Sequence, residues 1–229
     1  MRFDIITIFP EFFYALNDYG VVGKAVESGK IKINPVNLRD YSQDKHKKVD
    51  DEIYGGGPGM LMSPQPICDA IDDLKSENSK TIFMSPQGKN MDNDMVIELS
   101  SFEHLIILCG HYEGVDQRII DNYIDMEISI GDYILTGGEI PAMALIDSVS
   151  RFIPGVLGNS DSAVSDSLYN DLLKYSVYTR PADFRGMKVP EILLSGNHKL
   201  IEEWRMENSL ENTKNKRPDL YEKYLKNKV

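Results

Sequence analysis

The sequence predicts an α/β fold with a mostly parallel sheet, because short apolar segments alternate with amphipathic helical patterns. Four segments are rich in Ile or Leu and are bounded by turn residues, as buried strands are. They are residues 3–9, 81–84, 105–109 and 126–130. Continuous apolar runs are typical of strands that are covered on both faces, which indicates helices on either side of the sheet.

Helix signals stand between and after these strands. Ser63-Pro64 is placed to start one helix, and Asp92 and Asn197 are placed to cap two others. The run from Glu139 to Phe152 carries an apolar stripe at helical spacing. The alternation of these helices with the four strands is what predicts parallel strand connections.

Charge is distributed unevenly along the chain. The 229 residues carry a net charge of −11, which taken whole argues against nucleic-acid binding. Residues 1–170 contain 13 basic and 27 acidic residues, whereas residues 171–229 contain 12 basic and 9 acidic residues. By charge alone, two solvated surfaces of different composition are the simpler explanation. The composition and helical patterns predict a large domain over residues 1–158, a flexible linker over residues 159–170 and a small helical domain over residues 171–229.

Cys68 and Cys109 both lie within apolar patterns. Buried free thiols explain them better than a disulfide or a metal pair. No apolar stretch approaches the length of a membrane span, and the N-terminus lacks a signal-peptide pattern. We therefore expect a soluble, cytoplasmic protein without a membrane partner.

Glycine-bearing loops follow three of the predicted strands. They are Ser85-Pro86-Gln87-Gly88, Gly110-His111-Tyr112-Glu113-Gly114 and the run of residues 129–143 with Gly137-Gly138. Parallel sheets bind ligands beyond the carboxyl ends of their strands, so the three loops together favour one pocket. Three ordinary tight turns are the alternative, and for any single loop that alternative is better.

Missing motifs restrict the ligand of such a pocket. The sequence contains no G-x-x-x-x-G-K-[ST] phosphate loop, no G-x-G-x-x-G dinucleotide loop, no G-x-S-x-G elbow and no zinc-spaced Cys/His set. Glu113, Asp116 and Asp132 are carboxylates near glycines, which suit a cationic or hydroxyl-bearing ligand. A helix cap explains Asp116 better, and a turn aspartate is the alternative for Asp132.

A second glycine cluster, Gly55-Gly56-Gly57-Pro58-Gly59, follows the basic run Lys45-His46-Lys47-Lys48. A glycine loop beside basic residues can approach an RNA backbone closely. A plain surface loop is about equally compatible with the composition.

Arg151 and Asp166 carry no catalytic signal by pattern alone. An i,i+4 pair with Asp147 explains Arg151, and an N-cap position explains Asp166.

A series of longer motifs stands in a fixed order along the chain. They are Asp44-Lys45-His46-Lys47, Val49-Asp50-Asp51, Tyr54-Gly55-Gly56-Gly57-Pro58-Gly59-Met60, Ser85-Pro86-Gln87-Gly88, Cys109-Gly110-His111-Tyr112-Glu113-Gly114, residues 129–143, residues 151–158, Tyr178-Thr179-Arg180-Pro181 and Leu194-Ser195-Gly196-Asn197-His198. In these motifs the chain resembles, nearly end to end, the bacterial tRNA (guanine-N1)-methyltransferases of the knotted SPOUT class. The resemblance implies a SPOUT-type trefoil-knotted parallel sheet flanked by helices, plus a small helical C-terminal domain. It also implies a homodimer with a composite active site.

The activity that the resemblance implies is transfer of the S-adenosylmethionine methyl group to N1 of the guanine 3′ of the anticodon (position 37) in tRNA, with Mg²⁺ required. The implied donor-binding residues are Ser85, Pro86, Gln87, Gly88, Gly110, Tyr112, Glu113, Ile130, Gly131, Asp132, Tyr133, Ile134, Leu135, Gly137 and Gly138. The implied contacts to the tRNA anticodon stem-loop are Gly55, Gly56, Gly57, Gly59 and Ser167.

The resemblance also implies roles for the two residues that pattern left unassigned. Asp166 becomes the general base that takes the proton from guanine N1. Arg151 becomes the residue that stabilises the charge developing on the base. The ligands of the magnesium ion are not implied by any motif.

Three other functions are compatible with parts of the sequence. A methyltransferase of the same fold could act on another RNA. A non-catalytic RNA-binding adaptor could use the basic residues of the C-terminal part. A nucleotide-dependent α/β enzyme is a further class, although the missing phosphate loop argues against it.

Overall fold

The computed structural model describes residues 1–158, residue 168 and residues 171–227. The chain divides into two compact units, Met1–Gly158 and Asn159–Val229. The predicted linker at residues 159–170 lies, apart from Leu168, outside the described residues, so the linker remains a prediction.

The first unit is built on a five-stranded sheet in which every neighbouring pair is parallel, with the strand order β2-β1-β6-β5-β7. Its strands are β1 (Arg2–Thr7), β2 (Lys32–Asn37), β5 (Ser79–Asn90), β6 (His104–Cys109) and β7 (Met126–Ser129). A separate two-stranded antiparallel ribbon joins β3 (Asp50–Asp51) to β4 (Leu61–Met62). The four predicted strands are present, and the predicted parallel sheet is confirmed.

Helices cover both faces of this sheet. They are α1 (Tyr14–Asp18), α2 (Gly20–Glu27), α3 (Pro64–Leu74), α4 (Asn93–Ser100), α5 (Gln117–Tyr123) and α6 (Glu139–Ser150). One buried cluster joins α2, α4 and α6 to the sheet, and another joins α3 and α5 to the opposite face. All six residues of β6 are buried, because this strand lies at the centre of the sheet with a helix layer on each side.

Side-chain caps fix several helix starts where the sequence predicts them. The Asp92 carboxylate accepts from the Met95 N–H at 2.9 Å, and the Asp116 carboxylate accepts from the Arg118 N–H at 2.9 Å. Asn197 likewise caps its helix. The helix cap that the sequence favours for Asp116 is therefore confirmed.

Several elements of the first unit were not predicted, including the β3–β4 ribbon. Strand β2 contains Pro35 and lies at the edge of the sheet, where a missing N–H is tolerated. Helices α1 and α2 are short, and Tyr19 precedes α2 without a side-chain cap. Strand β1 also ends at Thr7 rather than at the predicted Phe9, because a 3-10 turn begins at Pro10.

Over residues 171–227, the second unit combines a short hairpin with three helices. Its elements are β8 (Asp183–Phe184), β9 (Met187–Lys188), α7 (Glu191–Leu194), α8 (His198–Lys216) and α9 (Pro218–Asn227). The extended segment that precedes the hairpin is held by polar side chains of α8: Thr213 Oγ1 accepts from the Leu173 N–H at 2.8 Å, and Asn208 Oδ1 accepts from the Ser176 N–H at 2.7 Å. The predicted helical C-terminal part is present, and the hairpin is an addition to it.

Both cysteines are free: Cys109 is buried and Cys68 is half-buried. Within the described residues, no helix combines the length and apolar character needed to cross a bilayer.

Candidate functional site

A cavity of about 530 Å³ opens at the carboxyl ends of β6 and β7 and beside the irregularity within β5. Its walls come from the three glycine-bearing loops that follow or interrupt these strands. This is the edge at which open parallel sheets bind their ligands. The three loops therefore share one cavity, as the sequence predicts.

Most of the predicted donor-binding residues line this cavity. They are Ser85, Pro86, Gln87, Gly110, Tyr112, Glu113, Ile130, Gly131, Tyr133, Ile134, Leu135, Gly137 and Gly138. Gly88 and Asp132 are not among the lining residues. Gly88 lies against the backbone of β7, where an added Cβ would be 2.4 Å from the carbonyl carbon of Glu127. Asp132 Oδ1 lies 3.5 Å from the side-chain nitrogen Nδ2 of Asn90.

The first wall is an irregularity inside β5 rather than a loop after it. Met84 and Lys89 are both in register with Ile128 of β7, so the residues between them leave the ladder. The Ser85 hydroxyl accepts from the Gln87 N–H at 3.1 Å and shapes this turn. Bulges of this kind aim side chains and backbone groups toward a site.

The second wall, residues 110–114, adopts a tight and partly left-handed conformation. Tyr112 has φ +58° and Gly114 has φ +121°. The Glu113 N–H donates to the Met60 carbonyl at 3.0 Å, which ties this loop to the end of the second glycine cluster. A Cβ at Gly59 would lie 2.5 Å from the Glu113 side chain, so only glycine allows this approach.

The rest of the second glycine cluster is exposed. Gly55, Gly56 and Gly57 all have positive φ, and open space surrounds the position of a Cβ at each. Of the predicted tRNA contacts, Gly59 therefore lies beside the cavity wall at Glu113, while the other three glycines are exposed to solvent. Ser167 lies outside the described residues.

The third wall, residues 129–138, returns the chain from β7 to the end of β6. The Gly138 N–H donates to the Gly110 carbonyl at 2.9 Å. A Cβ at Gly138 would be 2.7 Å from Cys109 Cα and 2.8 Å from the Gly110 nitrogen. This contact between two backbones explains why a residue without a side chain stands there.

A buried carboxylate lies directly behind the second and third walls. Glu139, the first residue of α6, is 3% exposed. The Thr7 hydroxyl donates to its Oε1 at 2.6 Å, and His111 Nε2 lies 2.8 Å from both carboxylate oxygens. Burial by itself would raise the pKa of Glu139, but the hydrogen bonds from His111 and Thr7 and the attraction of His111 lower it overall.

The Glu139 charge also influences its neighbour Cys109. Burial is the main reason why the pKa of the Cys109 thiol lies well above its ordinary value, and the negative charge of the nearby Glu139 raises it further. The thiol therefore stays protonated and unreactive, as the sequence indicates.

Sequence reasoning missed several lining residues. They include His111, Ser129, Thr136 and Pro141. Each of them stands inside a predicted loop motif, so the sequence could have indicated them. They were missed because binding residues were assigned mainly to glycines and carboxylates.

Of the two predicted catalytic residues, the structure describes only Arg151. Arg151 follows the last residue of α6 and is half-buried. Asp166 lies outside the described residues. Within the described ranges 1–158, 168 and 171–227, no three His, Cys, Asp or Glu side chains come together in a way that could hold a metal ion.

Comparison with known proteins identifies the family. A family model described as tRNA (Guanine-1)-methyltransferase TrmD matches residues 1–223. The chain belongs to the TrmD family. This family is of the SPOUT class, so the predicted family and α/β fold class are confirmed, while the trefoil knot stays a prediction.

Relatives that carry the name tRNA (guanine-N(1)-)-methyltransferase align with nearly the whole chain. The protein of Finegoldia magna is 59% identical over 228 residues, which cover 100% of this chain and 98% of that protein. That of Ruminiclostridium cellulolyticum is 56% identical over 226 residues, with 97% of each chain covered. That of Clostridium tetani is 53% identical over 224 residues, with 97% of this chain and 93% of that protein covered.

Proposed function

We propose that the chain transfers the methyl group of S-adenosylmethionine to N1 of the guanine 3′ of the anticodon, position 37, in tRNA. The observation that carries this proposal is the shared cavity that three glycine-bearing segments form beside the irregularity in β5 and at the carboxyl ends of β6 and β7, in a chain of the TrmD family. A volume of about 530 Å³ is within the usual range for a small-molecule site.

The chemistry of the walls suits S-adenosylmethionine. Main-chain groups line the cavity at Gly110 and Gly137, where they can hydrogen-bond a nucleoside and an amino-acid moiety. The Glu113 carboxylate among the lining residues favours a positively charged ligand. When bound, the donor supplies an electrophilic methyl group on a positively charged sulfur.

The residues of the chain would then act on the guanine. N1 carries a proton, so its lone pair is not available until a base accepts that proton. Asp166 is the proposed base, and Arg151 is proposed to stabilise the negative charge that spreads toward O6. Arg151 stands where the end of α6 fixes its backbone. Positioning of the base and the methyl group supplies much of the remaining rate.

The proposed tRNA surface joins several parts of the chain. The exposed backbone of Gly55, Gly56 and Gly57 lies on the segment that ends beside Glu113, which supports a contact near the cavity. Ser167 and the basic C-terminal domain, residues 171–229, complete the proposed contacts to the anticodon stem-loop.

We also propose the homodimer with its composite site. Large apolar side chains remain exposed on the first unit, among them Tyr14, Tyr19 and Ile140, at 53%, 74% and 52%. Exposed apolar side chains of this size fit a surface that a second copy covers. Light scattering at micromolar concentration tests the oligomeric state.

The trefoil knot is part of the same proposal. After β7, at one edge of the sheet, the chain returns past β5 to the end of β6, where Gly138 lies against Cys109 and Gly110. This return supports a threaded path.

No residue in the described part of the chain is assigned to magnesium. The described residues offer no cluster of His, Cys, Asp and Glu that fits a metal ion, and Asp166 is not among them. A magnesium requirement therefore remains a prediction from the resemblance, and no step is derived from it.

The experiment is methyl transfer from labelled S-adenosylmethionine to an unmodified tRNA transcript, with the product base located by mass spectrometry. We expect 1-methylguanine at position 37 and no product when adenine replaces that guanine. Methylation at another position or in another RNA would contradict the proposed substrate.

The proposed base is tested in the same assay. Asp166→Asn should lower turnover by about 10²–10⁴-fold while donor affinity is kept. Asp161→Asn, a nearby change of the same kind, is the matched control and should keep near-normal turnover. Near-normal turnover of Asp166→Asn would refute the assignment.

Donor binding separates the remaining alternatives. S-adenosylmethionine at about 100 times its Kd should stabilise the protein by about 2.7 kcal/mol. An RNA-binding adaptor would not respond to this ligand, and a nucleotide-dependent enzyme would respond to ATP instead.

A further inference from the structure

The buried cluster behind the cavity joins three separate segments of the first unit. Thr7 ends β1, His111 belongs to the wall at residues 110–114, and Glu139 begins α6 directly after Gly137 and Gly138. Thr7 and Glu139 are 132 positions apart in the sequence, and His111 and Glu139 are 28 apart. Strand β1, the cavity wall at residues 110–114 and helix α6 therefore meet at one carboxylate.

The protons of the cluster can be assigned from its contacts. The Thr7 hydroxyl accepts from the Phe9 N–H at 2.9 Å, and its own hydrogen points to Glu139 Oε1 at 2.6 Å. A carboxylate only accepts, so His111 must carry a proton on Nε2, which lies 2.8 Å from each oxygen. The lowered pKa of Glu139 keeps this carboxylate ionised at neutral pH, so it accepts from both side-chain donors.

The cluster lies at the junction of two cavity walls. The bond from the Gly138 N–H to the Gly110 carbonyl joins these walls through the backbone, and the His111–Glu139 pair joins them again one residue further along each segment. The packing is close, because a Cβ at Gly137 would lie 2.3 Å from Cε1 of the His111 ring. Phe9 packs edge-on against the same ring, with centroids 5.2 Å apart.

We propose that His111, Glu139 and Thr7 form a clamp that holds the wall at residues 110–114 against the wall at residues 129–138 and so sets the affinity of the cavity for the methyl donor. This inference rests on the proposed function, because it takes S-adenosylmethionine as the ligand of the cavity. His111 is a positioning residue: it acts on the donor through the spacing of the loops, not on the transferred group.

The physical reason is the cost of leaving Glu139 without its donor. A buried carboxylate that loses a hydrogen-bond partner must recover solvation, and the nearest route is for the two loops to separate and admit water. A separated pair of loops no longer presents Gly110 and Gly137 at the spacing of the closed cavity. The loss then appears in binding of the donor and not in the chemical step.

The decisive variant is His111→Leu, which fills the place of the ring with an apolar side chain and removes the Nε2 donor. By calorimetry with S-adenosylmethionine, we expect its Kd to rise about tenfold or more. At saturating donor and tRNA, kcat should stay within about twofold of the wild type. His111→Gln retains an amide donor and should recover much of the lost affinity.

A matched control exists in the same unit. His104 is also a buried histidine paired with a carboxylate, Asp4, at 2.7 Å, but it lies at the start of β6, at the opposite end from the cavity. His104→Leu should lower the melting temperature without ligand by as much as His111→Leu does, yet keep the wild-type Kd for the donor. Equal weakening of donor binding in both variants would mean general destabilisation and would overturn the clamp.

A second variant covers the case in which His111→Leu does not fold. In Glu139→Gln an NH₂ group replaces Oε2, so a donor faces the His111 Nε2–H at 2.8 Å where an acceptor stood, and donor affinity should fall by a similar factor. Unchanged donor affinity in the folded His111 or Glu139 variants would refute the clamp while leaving the proposed function intact. Absence of S-adenosylmethionine binding to the wild-type protein would instead refute the proposed function itself.

Discussion

The two ends of the parallel sheet carry the same kind of buried pair but differ in what surrounds it. At the amino end, fully buried Asp4 pairs with His104 Nε2 at 2.7 Å and also accepts from Arg2 and Asn34. At the carboxyl end, Glu139 pairs with His111 at 2.8 Å. Each carboxylate therefore has a histidine and at least one further donor.

The difference lies in which segments the donors come from. Arg2, Asn34 and His104 belong to β1, β2 and β6, which the sheet ladder already holds in register. His111 belongs to a loop, and its partner Glu139 follows another loop. The same chemistry thus reinforces regular structure at one end and controls the spacing of irregular structure at the other.

Removing the carboxylate at the amino end should give the largest loss of stability. Asp4→Ala leaves His104 and two further donors without their shared acceptor, so the free energy of unfolding should fall by about 3–5 kcal/mol. Urea unfolding followed by circular dichroism measures this loss. Donor affinity of the folded protein should stay unchanged, and a large rise in Kd would break the contrast between the two ends.

Crowding the junction of the two cavity walls should cost less stability but more function. A Cβ in Gly138→Ala would meet Cys109 Cα at 2.7 Å, and backbone cannot move aside as a side chain can. We expect a loss of about 1–3 kcal/mol in unfolding free energy and no measurable donor binding. Gly158→Ala, where the added Cβ meets nothing within 4 Å, should retain both properties.

Acid should weaken the carboxyl-end pair, with the smallest effect of the three. Because the folded-state pKa of Glu139 lies below its ordinary value of 4.5, the ionised form stabilises the folded protein. That contribution is complete above pH 4.5 and is lost as the pH falls through the lowered folded-state pKa. The stability difference between wild type and Glu139→Gln, measured by urea unfolding from pH 7 downward, should shrink only below about pH 4.5. A difference that is constant over this range would contradict the assigned charge of Glu139.

Local signals made much of the fold predictable. Asp92, Asp116 and Asn197 cap helices at the predicted positions, since capping depends only on residues two or three apart. Strand β2 was not predicted because proline is unusual within a strand. Pro35 is tolerated because β2 lies at the edge of the sheet, and that position depends on the tertiary fold and not on the local sequence.

The sequence predicted the shared cavity but not the buried side chains that lie behind its walls. Glycine loops after successive strands indicated a shared cavity, because parallel strands end at the same edge. The clamp of Thr7, His111 and Glu139 joins residues up to 132 positions apart, and no local pattern links them. Glu139 reads as an ordinary helix-start residue until the fold places it under the cavity.

The strand order has a consequence for synthesis on the ribosome. Strand β1 is made first, yet one of its two neighbours is β6, whose register pairs Arg2 with His104. The nascent chain can add β2 to β1 early, but the middle of the sheet must wait until about half of the protein has emerged. Pairing over such separations closes slowly, so we expect the apolar side of β1 to depend on chaperone protection during translation.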